Sequence, residues 1–72
     1  MDDYLDPHLE IDSPYFHTVE YQACNELCVF CADGRHLLVF EVSEKTFRRL
    51  CKDPSEEMIR KIISTHPHRY QR

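Results

Sequence analysis

The chain has a single glycine, no Lys or Arg before position 35, and no long apolar run. Each shortage removes a class of function. One glycine cannot build a glycine-rich loop that wraps a phosphate. No stretch approaches the ~18 apolar residues that a bilayer span needs. The start, Met1-Asp2-Asp3-Tyr4, is acidic, opposite to the basic n-region of a signal peptide, so secretion by that route is not expected. The 72 residues allow one small domain. A domain of that size buries only ~60% of the surface its unfolded chain exposes, which leaves little room for a deep catalytic cleft. Glu56 and Glu57 are adjacent, but on a helix they project ~100° apart and do not converge as a general acid/base pair. His17 and His36 flank the cysteine segment, yet no spacing places either beside a thiol. The expectation is a non-enzymatic chain with no cofactor.

What is present is charge, unevenly placed. Eight acids lie between Met1 and Gly34, giving -8, while residues 35–72 carry all nine Lys and Arg against five acids, giving +4. The overall value of -4 conceals this division. Such asymmetry predicts two ends with different partners.

Residues 1–17 contain Pro7 and Pro14, several acids and scattered apolar side chains without a sustained period, which predicts an extended acidic arm. Thr18-Val19-Glu20-Tyr21-Gln22 alternates as a half-buried strand should, and Leu27-Cys28-Val29-Phe30-Cys31 reads as a second strand. Asp33-Gly34 supplies a hairpin signal, because glycine accepts the positive φ of a tight turn. His36 to Val42 reads as the third strand, with Leu38, Phe40 and Val42 on one face and Leu37, Val39 and Glu41 on the other. Ser43 is a natural N-cap for a helix bearing Phe47, Leu50 and Cys51 on one side. Asp53-Pro54-Ser55-Glu56 predicts a second start, with Asp53 as the cap. Met58, Ile59, Ile62 and Ile63 then form an apolar stripe at helical spacing. The fold expected is α+β: a three-stranded antiparallel meander followed by two short helices in residues 18–65. An acidic arm at 1–17 precedes it and a basic tail at 66–72 follows.

Cys24, Cys28 and Cys31 are spaced C-x3-C-x2-C. The spacing resembles the cluster motif of radical S-adenosylmethionine enzymes, but 72 residues cannot supply their barrel. Zinc is the sharper alternative, with Cys28, Cys31 and Cys51 as candidate ligands. On a strand, however, residues three apart point to opposite faces and lie ~10 Å apart along the chain. Reduced, buried thiols are therefore the expectation, which in turn implies the cytoplasm.

The C-terminal residues His68, Arg69, Tyr70 and Arg72 combine guanidinium groups with an aromatic ring, a composition that suits single-stranded RNA. In the arm, Tyr4, Leu5, Leu9 and Ile11 are too apolar for a disordered tail and are the expected contact for a protein partner.

From Val19 onward the chain resembles the KTSC domain of some lysyl-tRNA synthetases and stand-alone bacterial or phage proteins. The resemblance rests on Val19-x-Tyr21, Leu27-x-Val29, Asp33-Gly34-Arg35 and Phe40-x-Val42, then on Phe47, Leu50 and Ser55 before an aliphatic helix. The family's aromatic pair in the third strand reads Leu38-Val39-Phe40 here, and the glycine after its serine is replaced by Glu56 or Glu57. The resemblance implies a hairpin-plus-helix fold and RNA binding. In size and layout the chain is also similar to small phage-encoded regulators of host RNA polymerase, including antiterminators. An acidic arm suits a basic protein surface, and a basic tail suits emerging RNA. The expected partner is a larger protein, best represented by bacterial RNA polymerase, with the chain itself a monomer or weak dimer.

Overall fold

The computed structural model describes residues 6–22 and 24–71. Five strands, β1 (His8–Glu10), β2 (Phe16–Gln22), β3 (Glu26–Cys31), β4 (His36–Val39) and β5 (His68–Gln71), form one antiparallel sheet in sequence order. Helices α1 (Glu44–Lys52) and α2 (Glu56–Thr65) lie in the chain between β4 and β5.

The alternation read from the sequence becomes the two faces of this sheet. Val19 pairs with Val29, Tyr21 with Leu27, and Leu27 with Val39, so these side chains share one face. Both helices pack there. Phe47, Leu50, Ile59 and Ile62 join Val19, Leu27, Val29, Leu37 and Val39 in one cluster, with Val42, Ile11 and Phe16 completing it. Tyr21 stacks on Phe47 with ring centroids 4.9 Å apart and planes 7° from parallel.

Turns follow the expected chemistry. Gly34 has φ +92, the backbone region that glycine enters without a Cβ penalty, and the Asp33 Oδ1 accepts the Arg35 N–H at 3.0 Å. Asn25 takes φ 62 between β2 and β3, a conformation its short polar side chain tolerates.

Four expectations change. The meander has five strands, not three. The proline-containing arm still supplies β1, whose Leu9 sits opposite Val19 and packs against the core. The basic tail supplies β5, hydrogen-bonded along β4 from Val39↔His68 to His36↔Gln71. Pairing with an edge that the local sequence could not reveal converts both from tail to strand. The third strand stops at Val39, because Glu41 turns into the left-handed region at φ 59. That turn rotates Val42 into the core, away from the face of Leu38 and Phe40. Finally, Ser55 rather than Asp53 caps α2, its hydroxyl accepting the Met58 N–H. Asp53 precedes a proline, which disfavours helical backbone, and instead closes α1 by donating to the Arg49 and Leu50 carbonyls.

Candidate binding surface

Antiparallel sheets often pack one face and leave the other in solvent. Here the strand alternation and the register place His8, Glu10, Thr18, Glu20, Gln22, Glu26, Cys28, Phe30, His36, Leu38, Arg69 and Gln71 on the face away from the helices. Among the described residues, no helix lies over it. Two cross-strand rows organise the surface. One runs His8, Glu20, Cys28, Leu38, Arg69; the other runs Glu10, Thr18, Phe30, His36, Gln71.

The centre of the face is apolar and its flanks are charged. Cys28, Phe30, Leu38 and Phe40 are each half-buried. Phe30 meets the His36 ring edge-on at 4.7 Å. Phe40 extends the β4 alternation past Val39, and its N–H donates to the Pro67 carbonyl at 2.8 Å. The Arg69 guanidinium lies 5.9 Å from the Phe40 ring centre. On the opposite flank, Glu20 faces His8 with Nδ1 and Oε2 3.6 Å apart, and Glu10 stands beside it. The surface therefore carries acids on β1 and β2 and at Glu26 where β3 begins, an aromatic and aliphatic centre on β3 and β4, and a basic margin on β5.

The cysteines divide between the two faces. Cys28 lies on the open face, whereas Cys31 and Cys51 pack against the core and Cys24 is exposed. All four are free thiols. Burial pushes the Cys28, Cys31 and Cys51 thiols up from their ordinary range, with Glu20 and Glu26 adding to the effect at Cys28 and Asp33 at Cys31. A raised value leaves less thiolate at neutral pH, the opposite of the depressed value that activates a nucleophilic cysteine. Cys28, Cys31 and Cys51 do not assemble a zinc site. Among the described residues no group of three or more His, Cys, Asp and Glu is placed to hold a metal ion.

The residues expected to bind partners fare unequally. Tyr4, Leu5 and Arg72 lie outside the described residues. Ile11 is a core residue at 8% exposure and Leu9 packs against that core, so both serve the fold. His68, Arg69 and Tyr70 do not converge, because strand alternation separates them. Arg69 joins the open face, while His68 and Tyr70 share the register of Val39 and Leu37 on the helix side. Tyr70 is nonetheless 59% exposed, with the Arg35 guanidinium 5.2 Å from its ring centre.

Local pattern in the sequence does not single out Phe30, Leu38 and Phe40 as a surface. Their signal was present in the apolar residues on both faces of β4, which called for cover on a second side. No described helix is long and apolar enough to cross a membrane. Compared with protein-family models, curated proteins and solved structures, the chain matches none.

Proposed function

We propose that this chain is a small non-enzymatic binding module that docks on a larger protein through the open face of its sheet. The observation that carries the reading is the arrangement of that face. An aromatic and aliphatic centre bordered by charge is the composition of a protein contact, with anchors in the middle and a polar rim around them. The acids Glu10 and Glu20 select a partner with a basic surface. Bacterial RNA polymerase is the partner that best joins such a surface to nearby RNA, and modulation of host transcription, including antitermination, is the corresponding activity in the cytoplasm. Arg69 and Arg35, on the β5 side, are the residues that would approach the RNA.

A second reading, RNA binding of the KTSC kind, is favoured by Phe30, Phe40 and Arg69 on one sheet face, since bases stack on aromatic rings presented this way. Glu10 and Glu20 on the same face repel phosphates and place this reading second.

Affinity capture from bacterial lysate, with and without nuclease, separates the two. Docking on polymerase predicts recovery of its subunits in both arms and loss of recovery with Leu38→Lys. Recovery that vanishes with nuclease favours the RNA reading. Capture that yields no polymerase subunit in either arm sinks the polymerase assignment.

A further inference from the structure

The open face is complementary to itself. Along one row the order is Glu20, Cys28, Leu38, Arg69 across β2 to β5. A two-fold axis running parallel to the strands, between β3 and β4, lays a second sheet over the first with its strand order reversed. Glu20 of each copy then faces Arg69 of the other, and Cys28 faces Leu38. In the neighbouring row Phe30 faces His36, and Thr18 faces Gln71. Over these two rows the rotation matches acid with base at Glu20 and Arg69, apolar with apolar at Cys28 and Leu38, ring with ring at Phe30 and His36, and polar with polar at Thr18 and Gln71. Isologous contacts require this self-complementarity.

Within one chain Glu20 meets His8 at 3.6 Å and does not reach Arg69. Glu20 and Arg69 stand three strands apart, roughly 14 Å at the usual interstrand spacing. That separation exceeds the Debye length of ~8 Å at physiological salt, so the two do not stabilise each other within a monomer. Arg69 makes no ion pair among the described residues, whereas Arg35 and Arg60 are each paired with a carboxylate.

We infer that the open face seats a second copy of this chain, giving a face-to-face two-fold dimer that occludes the docking surface until a larger partner displaces it. The inference takes the open face as the docking surface, as proposed above, and adds its regulation. Two aligned sheets pack ~10 Å apart, crossing at about -30° because each is twisted. The contact is small. Four overlapping strands by four or five residues give roughly 250–320 Å² per copy, below the standard size of stable interfaces, so the dimer is weak and exchanges readily. A weak dimer is what displacement by a partner requires, since a tight one would keep the surface covered.

Sedimentation equilibrium of the isolated chain from micromolar to millimolar concentration tests the dimer. The mass is expected to rise from 8.7 kDa toward twice that value, with a dissociation constant on the order of 100 µM. Leu38→Lys is expected to hold the chain at the monomer mass. Glu20→Arg and Arg69→Glu are each expected to weaken association at least about threefold, and the double reversal to restore it, because only the intermolecular pair is re-formed. Circular dichroism verifies that each variant is folded; the two charge reversals lie at exposed or half-buried sites and decide the matter if Leu38→Lys fails to fold. A monomer at millimolar concentration overturns the inference, as do single reversals without effect or a double reversal without rescue. A monomer that still captures polymerase sinks the dimer alone. A dimer that captures no polymerase sinks the polymerase assignment alone.

Discussion

Single side chains show how a core this thin is held together. Tyr21 illustrates it, because one residue serves the sheet, a helix and a loop. Its ring stacks on Phe47, and its hydroxyl lies 2.8 Å from the Val42 carbonyl and 2.9 Å from the Asn25 Oδ1. Burial, together with Glu44 and Cys24, holds the Tyr21 hydroxyl above its ordinary range. The three raised thiols behave alike. In each case the folded chain keeps its proton more tightly than the unfolded chain does. Stability is therefore complete below the ordinary thiol value of about 8.5 and falls as pH rises through it, with Tyr21 adding to the loss above about 10. Urea midpoints measured between pH 7 and pH 11 are expected to decline from about pH 8.5 upward, and a flat profile would contradict the assignment. Asp33 and Glu56 have the opposite sign. Hydrogen bonds from Arg35 hold Asp33 low, and hydrogen bonds from Arg60 and Ser13 hold Glu56 low, so their contributions are lost as pH falls.

At the scale of elements, the start of α2 does more than begin a helix. Ser55 caps it through the Met58 N–H, and residue 55 also bridges Asp12 in the loop after β1. Ser13 in that loop donates to Glu56 Oε1 at 3.0 Å and accepts the Tyr15 and Phe16 N–H groups. Arg60 meets the other Glu56 oxygen at 2.8 Å and lies 5.4 Å from the Tyr15 ring centre. The first turn of α2 thus anchors the segment linking β1 to β2. Ser55→Ala and Ser13→Ala are each expected to cost about 1 kcal/mol. Because both act on one network, their double mutant should depart from additivity by about 0.5 kcal/mol or more in urea unfolding. Additivity within about 0.3 kcal/mol would show that the loop and the helix start are independent. The helices themselves were readable from the chain, as was the cap at Ser43, whose hydroxyl accepts the Thr46 N–H. The arm and the tail were not. A short strand such as His8–Glu10 or His68–Gln71 carries no pattern of its own and exists because a partner edge is beside it.

For the whole molecule, β1 and β5 form opposite edges of one sheet, and this places the charge division of the sequence across a single surface. The acid-rich first half contributes β1, β2 and β3, and the basic second half contributes β4 and β5. It also makes the C-terminus structural. No residue of β5 is buried, yet β5 satisfies the outer edge of β4, whose Leu37 and Val39 are core. Removing residues 67–72 is expected to leave a folded chain, since the core lies upstream, but to lower stability by about 2–4 kcal/mol through the lost ladder hydrogen bonds. Urea unfolding with a retained cooperative transition supports this; an unchanged midpoint contradicts it. For the same reason, RNA contacts at this end are better tested with Arg69→Glu than by truncation, which alters the fold and the surface together.

The sequence by itself determined the elements whose signals are local: alternation in β2, β3 and β4, the turn at Asp33-Gly34, the helical stripe of Ile59 and Ile62, and the serine cap of α1. It also determined the uneven charge, because composition needs no coordinates. Tertiary structure decided what depends on neighbours. It made strands of residues 8–10 and 68–71, turned Val42 inward after Glu41, committed Ile11 to the core, and separated Arg69 from His68 and Tyr70. It also gathered Phe30, Leu38 and Phe40 between an acidic and a basic margin. The reason is the range of the interactions involved. A turn or a cap is settled within four residues, whereas a sheet edge and a surface are settled by segments that meet only after the chain has folded.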